Sequence, residues 1–384
     1  MTILDADLLG RIHDRAAGYD RDNAFFTEDL EELKAAGYLR ALVPTELGGL
    51  GLSLKELAHE QIALAAAAPA TALAINMHLV WTGVAKVLHD RGDSSLDFVL
   101  TEAAAGEVFA FAISEPGNDL VLFGSKTEAK PLADGGYAFT GTKIFTSLSP
   151  AWTRLGLFGL DSHSADAPKL VHAFVSREAA GVSTPDITTL DDWDTIGMRA
   201  SQSNSTRLTA AVAPADRIVR RLDPGPNPDP LIFGIFANFE ILVAAVYTGI
   251  GQRALELAVA AAQGKTSART GLTGDKNPNT RWKIADAALA QDALLPQLDA
   301  LASDVDGLVN RGDQWFRGLV GIKSRATKTA KYVVEQAIAV AGGAAFSSSS
   351  ELGRLYRDVI AGGFHPSNED SVHTTVANAL LGPE

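Results

Sequence analysis

The chain has 384 residues, a formal net charge of −13 and no cysteine, which excludes disulfide scaffolds, thiol catalysis and cysteine-ligated metals. Hydrophobic residues make up 46% and charged residues 21%, enough for a large core spread over about two to three domains. No basic block interrupts the acidic surplus, which argues against a nucleic-acid partner, although a local basic patch can still receive a polyanionic ligand.

The segment Met1 to Asp20 is charged and helical in pattern and lacks the apolar core of a signal peptide, so a soluble, cytoplasmic protein is expected. Thr27 reads as an N-cap, Leu30, Leu33 and Ala36 follow at helical spacing, and Gly37 closes the helix. The glycine-rich run from Val43 to Leu52 lacks the Lys-Ser/Thr of a phosphate loop and is read as structural. Ser53 and Glu56 form a capping box for the next helix. The longest apolar run, Ile62 to Trp81, contains Pro69, Asn76 and His78, and predicts a buried helix pair rather than a membrane span.

The period changes near Val108. Short alternating segments follow at 126–132, 137–145, 154–160, 170–175 and 205–212, with Asp134-Gly-Gly136 as a hairpin turn. They predict a compact antiparallel β domain over 109–222, between a helical domain over 1–108 and a helical bundle over 223–384. A proline-rich linker, Asp223 to Pro230, precedes the bundle. Helices are predicted over 233–263, over 280–309 with Ile284, Leu289, Leu294 and Leu301 inward, and over 323–340 closed by Gly342-Gly343. The fold class is therefore mainly α with a β insert.

Several short motifs recur in a fixed order. Phe109-Ala-Phe-Ala-Ile-Ser-Glu-Pro-Gly-Asn-Asp119 ends a strand in a turn, and Gly141-Thr-Lys-Ile-Phe-Thr-Ser147 follows. Further along come Ile196-Gly-Met-Arg-Ala-Ser201 with Ala213-Pro-Ala-Asp216, Gly251-Gln-Arg-Ala-Leu255, and Gly342-Gly343 with Tyr356-Arg-Asp358. Together they resemble the acyl-CoA dehydrogenase superfamily over the whole chain. The resemblance implies an N-terminal helical domain, a middle β domain and a C-terminal four-helix bundle. It implies a flavin whose ring lies on an aromatic wall while hydroxyls and backbone N–H groups reach its edge.

By that resemblance the ring-binding positions are Phe111, Ile113, Ser114, Phe145 and Ser147. Lys265 and Arg269 fall where relatives place a pyrophosphate-binding arginine; a lysine there is a point charge without the bidentate fork. The glutamine usually found before the Gly-Gly pair is Ala339, and the Glu-Gly-Thr usually found after Tyr-Arg-Asp is absent. Both normally serve the adenine half of FAD, so FMN is the alternative to FAD. The family further implies a homotetramer with the flavin between subunits.

The family's usual catalytic glutamate lies eight residues beyond the Arg-Asp aspartate, a position that Pro366 occupies here. Two substitutes are open. A displaced glutamate maps to Phe239, with Glu240 its neighbour; this fits α,β-dehydrogenation of an acyl thioester on coenzyme A or a carrier protein, with hydride passing to flavin N5 and on to an electron-transfer flavoprotein. The second is the monooxygenase branch, in which histidines and a serine manage a C4a-hydroperoxide and a separate flavin reductase supplies electrons. That branch maps to His365, His78 and Ser147, and histidine suits it by exchanging protons near neutral pH. The turn Ser114 to Asp119 is about two residues shorter than in thioester-handling relatives, which disfavours coenzyme A.

Overall fold

In the computed structural model, which describes residues 2–177 and 186–382, five helices precede the sheet: α1 (Ala6–Asp22), α2 (Thr27–Ala35), α3 (Leu54–Ala67), α4 (Pro69–Asp90) and α5 (Asp97–Ala104). The expected cap of α2 is corrected. Phe26 is the N-cap, Thr27 is the first helical residue, and no side chain caps the end. The Ser53–Glu56 capping box of α3 is present in both directions. Gly49 shows why the preceding loop is glycine-rich: a Cβ there would lie 1.9 Å from the Val43 carbonyl oxygen. The apolar run divides as expected, because Pro69 is tolerated at the first turn of α4 but not inside a helix.

The middle region is one sheet of eight strands: β1 (Phe109–Ala112), β2 (Glu128–Pro131), β3 (Tyr137–Lys143), β4 (Arg154–Asp161), β5 (Lys169–Ser176), β6 (Ile187–Thr189), β7 (Thr206–Ala213) and β8 (Ile218–Leu222). The order is β6-β7-β3-β2-β4-β5-β8, with β1 on β4. The sheet is not wholly antiparallel. β1 runs parallel to β4, and β2 meets β4 parallel at Glu128 and Leu160. The chain leaves β1 for the β2–β3 hairpin and re-enters β4 in the original direction, as a long connection permits. Trp81 of α4 packs on this sheet and donates its indole N–H to the Ala110 carbonyl at 3.0 Å.

The bundle contains α6 (Pro230–Gly264), α7 (Pro278–Asp292), α8 (Leu294–Asp306), α9 (Gln314–Ala341), α10 (Glu351–Ile360) and α11 (Glu369–Leu381). The single helix expected over 280–309 is broken into α7 and α8. Pro296 has no N–H for the Asp292 carbonyl, so the ladder fails there. The break rotates α7, and Leu289 is 71% exposed, not inward, whereas Leu294 and Leu301 are buried. Both α4 and α6 are long and apolar enough to span a membrane, yet 94% and 89% of their apolar windows are buried inside the protein. They are core helices.

Candidate functional site

Two groups of the predicted residues assemble, and α6 lies between them. The first sits where β1 ends. The Ser114 carbonyl accepts from Ile144 N–H at 2.9 Å, which sets Ser114 beside the 144–147 segment. Phe145 is 55% exposed with φ +59°, so a backbone costly for a β-branched or bulky residue turns this ring outward. Trp193 meets its edge at 6.3 Å. Ser147 is buried and shares a hydrogen bond with Ser203 Oγ at 2.7 Å, which in turn meets Ser201 Oγ at 2.8 Å. Leu148, Met198 and Gln202 also have left-handed φ, so strained backbone brackets the three hydroxyls.

A buried ion pair holds this corner. Glu115 Oε1 lies 2.6 Å from Lys143 Nζ, and both side chains are buried. The same carboxylate accepts from Lys126 N at 2.7 Å, Thr127 N at 3.1 Å, Ser125 Oγ at 2.6 Å and Thr127 Oγ1 at 2.7 Å. Burial alone would raise the Glu115 carboxyl, but Lys143 and these donors outweigh it and hold it down at about 2. Both residues lie inside the sequence motifs without an expected role. Two opposite charges in otherwise apolar strand ends were the available signal.

Phe111 and Ile113 are buried behind this corner. Phe111 stacks on Phe239 of α6, with centroids 5.9 Å apart and planes inclined by 22°, and also meets Trp81. Phe239 is where the displaced glutamate would have been, and it is wall.

The second group begins one residue on. Glu240 is buried, and its Oε1 accepts from Ser367 Oγ, whereas Oε2 has no partner among the described residues. Lys323 of α9 is buried opposite and donates to three loop carbonyls: Gly362 at 3.2 Å, His365 at 3.3 Å and Ser367 at 3.0 Å. Burial pushes Glu240 up to about 8 and pulls Lys323 down to about 8. His365 Nε2 meets the buried Tyr247 hydroxyl at 2.8 Å. Burial and the nearby Lys323 charge pull His365 down to about 3, so the ring is neutral near pH 7 and is not poised to exchange protons there. Lys323 and Tyr247 were not singled out from the sequence; a lysine inside an apolar helix stripe was the signal for the first.

His78 is corrected. It is fully buried, Nε2–H donates to the Leu39 carbonyl at 2.7 Å, and Nδ1 accepts from Phe109 N–H at 3.1 Å. Burial pulls it down to about 4. Both nitrogens are spent, one tying α4 to β1 and the other tying it to Leu39, so His78 has nothing left for a substrate. Lys265 and Arg269 lie on an exposed loop closed by a Thr266–Thr273 bridge. Lys265 Nζ reaches Gly342 at the end of α9, and the loop turns back on Ala262 of α6.

A groove of about 710 Å³ opens on the bundle between α8, α9 and α11. Arg311, Arg317 and Arg325 line it with Gln297, Ser324 and His373. Arg311 pairs with Asp304, and Arg325 bonds Gln297 at 2.8 Å. Among the described residues Arg317 has no acidic partner, which is notable in a chain of net charge −13. No group of three or more potential metal ligands occurs among the described residues.

Models of the acyl-CoA dehydrogenase N-terminal domain and C-terminal domain match residues 9–93 and 241–369. The chain is 30% identical over 362 residues to the amino sugar nitrososynthase DnmZ of Streptomyces peucetius, covering 91% of this chain and 85% of that protein. It is 29% identical over 378 residues to L-evernosamine nitrososynthase of a Micromonospora species, covering 94% and 86%. The solved structure of KijD3 in complex with FMN and dTDP-3-amino-2,3,6-trideoxy-4-keto-3-methyl-D-glucose superposes with a TM-score of 0.87 at 26% identity, covering all of this chain and 93% of that one.

Proposed function

Because this chain belongs to the acyl-CoA dehydrogenase family, we propose that it is a two-component, FMN-dependent monooxygenase that oxygenates the amino group of a nucleotide-linked amino sugar. One observation carries the choice over dehydrogenation. The loop after α10, where the family's base would stand, offers Pro366 and the neutral His365, and the carboxyl beside the displaced position, Glu240, is engaged by Ser367.

The corner residues fit a flavin ring. Phe145 is an aromatic face turned out of the sheet, and Ser114 and Ser147 stand beside it. Bound there, reduced flavin would supply the two electrons that activate oxygen. The balance is one amine, one O₂ and one reduced flavin giving one hydroxylamine, one water and one oxidised flavin; a second round carries hydroxylamine to nitroso. On this reading His365 takes the role that the family resemblance gives it, a hydrogen-bond partner for the reacting oxygen. The arginine groove suits a diphosphate, since guanidinium forks match phosphate oxygens. Lys265 and Arg269 would serve the FMN phosphate of a neighbouring copy in the homotetramer that the family resemblance implies. The exposed Trp282 and Leu289 of α7 support the same assembly.

The test supplies FMN, a flavin reductase and oxygen with a dTDP-amino sugar, and reads the product by mass. A gain of one oxygen on the amine supports the reading. Anaerobic bleaching of bound flavin by an acyl-CoA, without oxygenation, would replace it with dehydrogenation, the reading favoured by the unpartnered Glu240 Oε2.

A further inference from the structure

His365 meets its surroundings through two nitrogens of different fate. Nε2 lies 2.8 Å from Tyr247 Oη, and the two rings stand edge to face at 5.7 Å and 60°. Nδ1 has no partner among the described residues. A phenol beside an imidazole can donate to a bare nitrogen or accept from a protonated one, and the two choices give opposite tautomers.

We infer that Tyr247 is the positioning residue of His365: its phenol donates to Nε2, fixing the neutral tautomer with hydrogen on Nδ1, so that His365 presents a permanent donor to whatever lies over it.

Three observations carry this. Tyr247 is fully buried and has no other hydrogen-bond partner among the described residues. If it accepted from Nε2–H, its own hydrogen would be buried without an acceptor, at the cost of an unsatisfied donor. Lys323 binds the His365 carbonyl from below at 3.3 Å, and a second positive charge on the ring beside that ammonium is opposed. The other ionisable groups around the pair are Glu240 on α6, held by Ser367, and Asp358 on α10, which faces Tyr247. Asp358 and burial both favour keeping the proton on the phenol, burial the more. Gly362 packs against both Thr327 and Tyr247, so the loop carrying His365 is seated on this phenol.

The inference rests on the oxygenase reading only for what His365 faces. A fixed donor suits a site in which a developing negative charge on oxygen must be met without losing a proton to solvent. An acid that titrates near neutrality would respond to pH; this arrangement does not.

The test needs no turnover. The lone pair of neutral imidazole attacks a carbonyl of diethylpyrocarbonate, and the ethoxycarbonyl adducts are assigned to each histidine by peptide mass in the full chain with FMN present. In the wild type His365 should react slowly, and its rate should stay flat from pH 7.5 to about 5.5. Tyr247→Phe frees the Nε2 lone pair and should speed His365 roughly five- to tenfold, one hydrogen bond's worth. A wild-type His365 that slows as pH falls over that range, or a Tyr247→Phe rate unchanged in a protein that still melts cooperatively, overturns the inference. If the variant does not fold, ring-nitrogen NMR shifts of His365 in the wild type decide: hydrogen on Nδ1 supports the inference, and hydrogen on Nε2 overturns it. A fixed tautomer together with a His365→Ala enzyme that oxygenates normally would sink the oxygenase role of His365 and leave the tautomer standing.

Discussion

The backbone N–H of Met198 donates to the Asp358 carboxylate at 2.6 Å, and that bond ties together two short motifs 160 residues apart. Gly197 makes the approach possible, since a Cβ there would lie 2.1 Å from the Arg357 carbonyl oxygen. Arg357 in turn pairs with Asp20 of α1. The Gly-Met-Arg and Tyr-Arg-Asp strings are thus the two faces of one joint between the sheet, the bundle and the first helix.

Gly197→Ala should therefore cost about 1–3 kcal/mol, because the obstacle is backbone and cannot swing away. Asp358→Asn retains an acceptor for Met198 and should cost less than Asp358→Leu. Burial raises Asp358 to about 6 in the fold. A raised carboxyl stabilises fully below its unfolded value and loses that contribution as pH rises through about 6, so Asp358→Asn should flatten the stability profile between pH 4 and 7. Urea denaturation across that range checks both.

The Glu115–Lys143 pair sets a second expectation. Lys143→Met leaves a buried carboxylate among donors without its counter-charge and should cost about 3–5 kcal/mol. The double change Glu115→Leu with Lys143→Met should cost less than the two single changes added together. Glu115 is held at about 2, so its contribution is present above its unfolded value and fades only as pH falls from about 4.5 toward 2. A Lys143→Met protein as stable as the wild type would show that the pair does not hold the corner.

His172 of β5 is buried, stacks on Phe158 at 5.2 Å, and has no hydrogen-bond partner at either nitrogen among the described residues. Burial, then Lys143 and Arg220, pull it down to about 3. A base depressed in the fold stabilises above its unfolded value of about 6.5 and loses that contribution as pH falls from there. At pH 5 the loss is about 2 kcal/mol. His172→Phe keeps the stack and removes both polar atoms. Its melting temperature should exceed the wild type's at pH 7, and its fall between pH 7 and 5 should be shallower.

The order of helices and strands was legible in the sequence because hydrophobic period and turn residues are local signals. Ser53–Glu56 and Asp134-Gly-Gly136 read correctly for that reason. Pro296 was just as local and was passed over, so α7 and α8 were read as one helix and Leu289 was turned the wrong way. The site was less legible because its roles depend on partners far along the chain. His78 looked like a ligand until Leu39 and Phe109 took both nitrogens, and Tyr247 gained a role only from a residue 118 positions away. A one-residue step from Phe239 to Glu240 turns about 100° on a helix, enough to exchange an aromatic wall for a loop anchor.

That step sets the last prediction, which separates Glu240 from His365. Under amine oxygenation, His365 is the group that meets the reacting oxygen, and losing one such donor should lower product formation about 10²-fold. His365→Ala should keep consuming reduced flavin and oxygen and release peroxide in place of product. His365→Asn restores an N–H and should recover part of the coupling. The same reading gives Glu240 the role of holding the loop through Ser367, so Glu240→Gln, which still bonds that serine, should leave the ratio of product to oxygen close to the wild type. Its effect should appear in stability instead. Burial raises the Glu240 carboxyl, so its contribution is present below its unfolded value of about 4.5 and is lost as pH rises from there toward about 8, a fall that Glu240→Gln should not show. Measuring peroxide and product together across pH 6–9 decides the assignment: uncoupling by Glu240→Gln with an intact His365→Ala enzyme would return the base to the helix and the reaction to dehydrogenation.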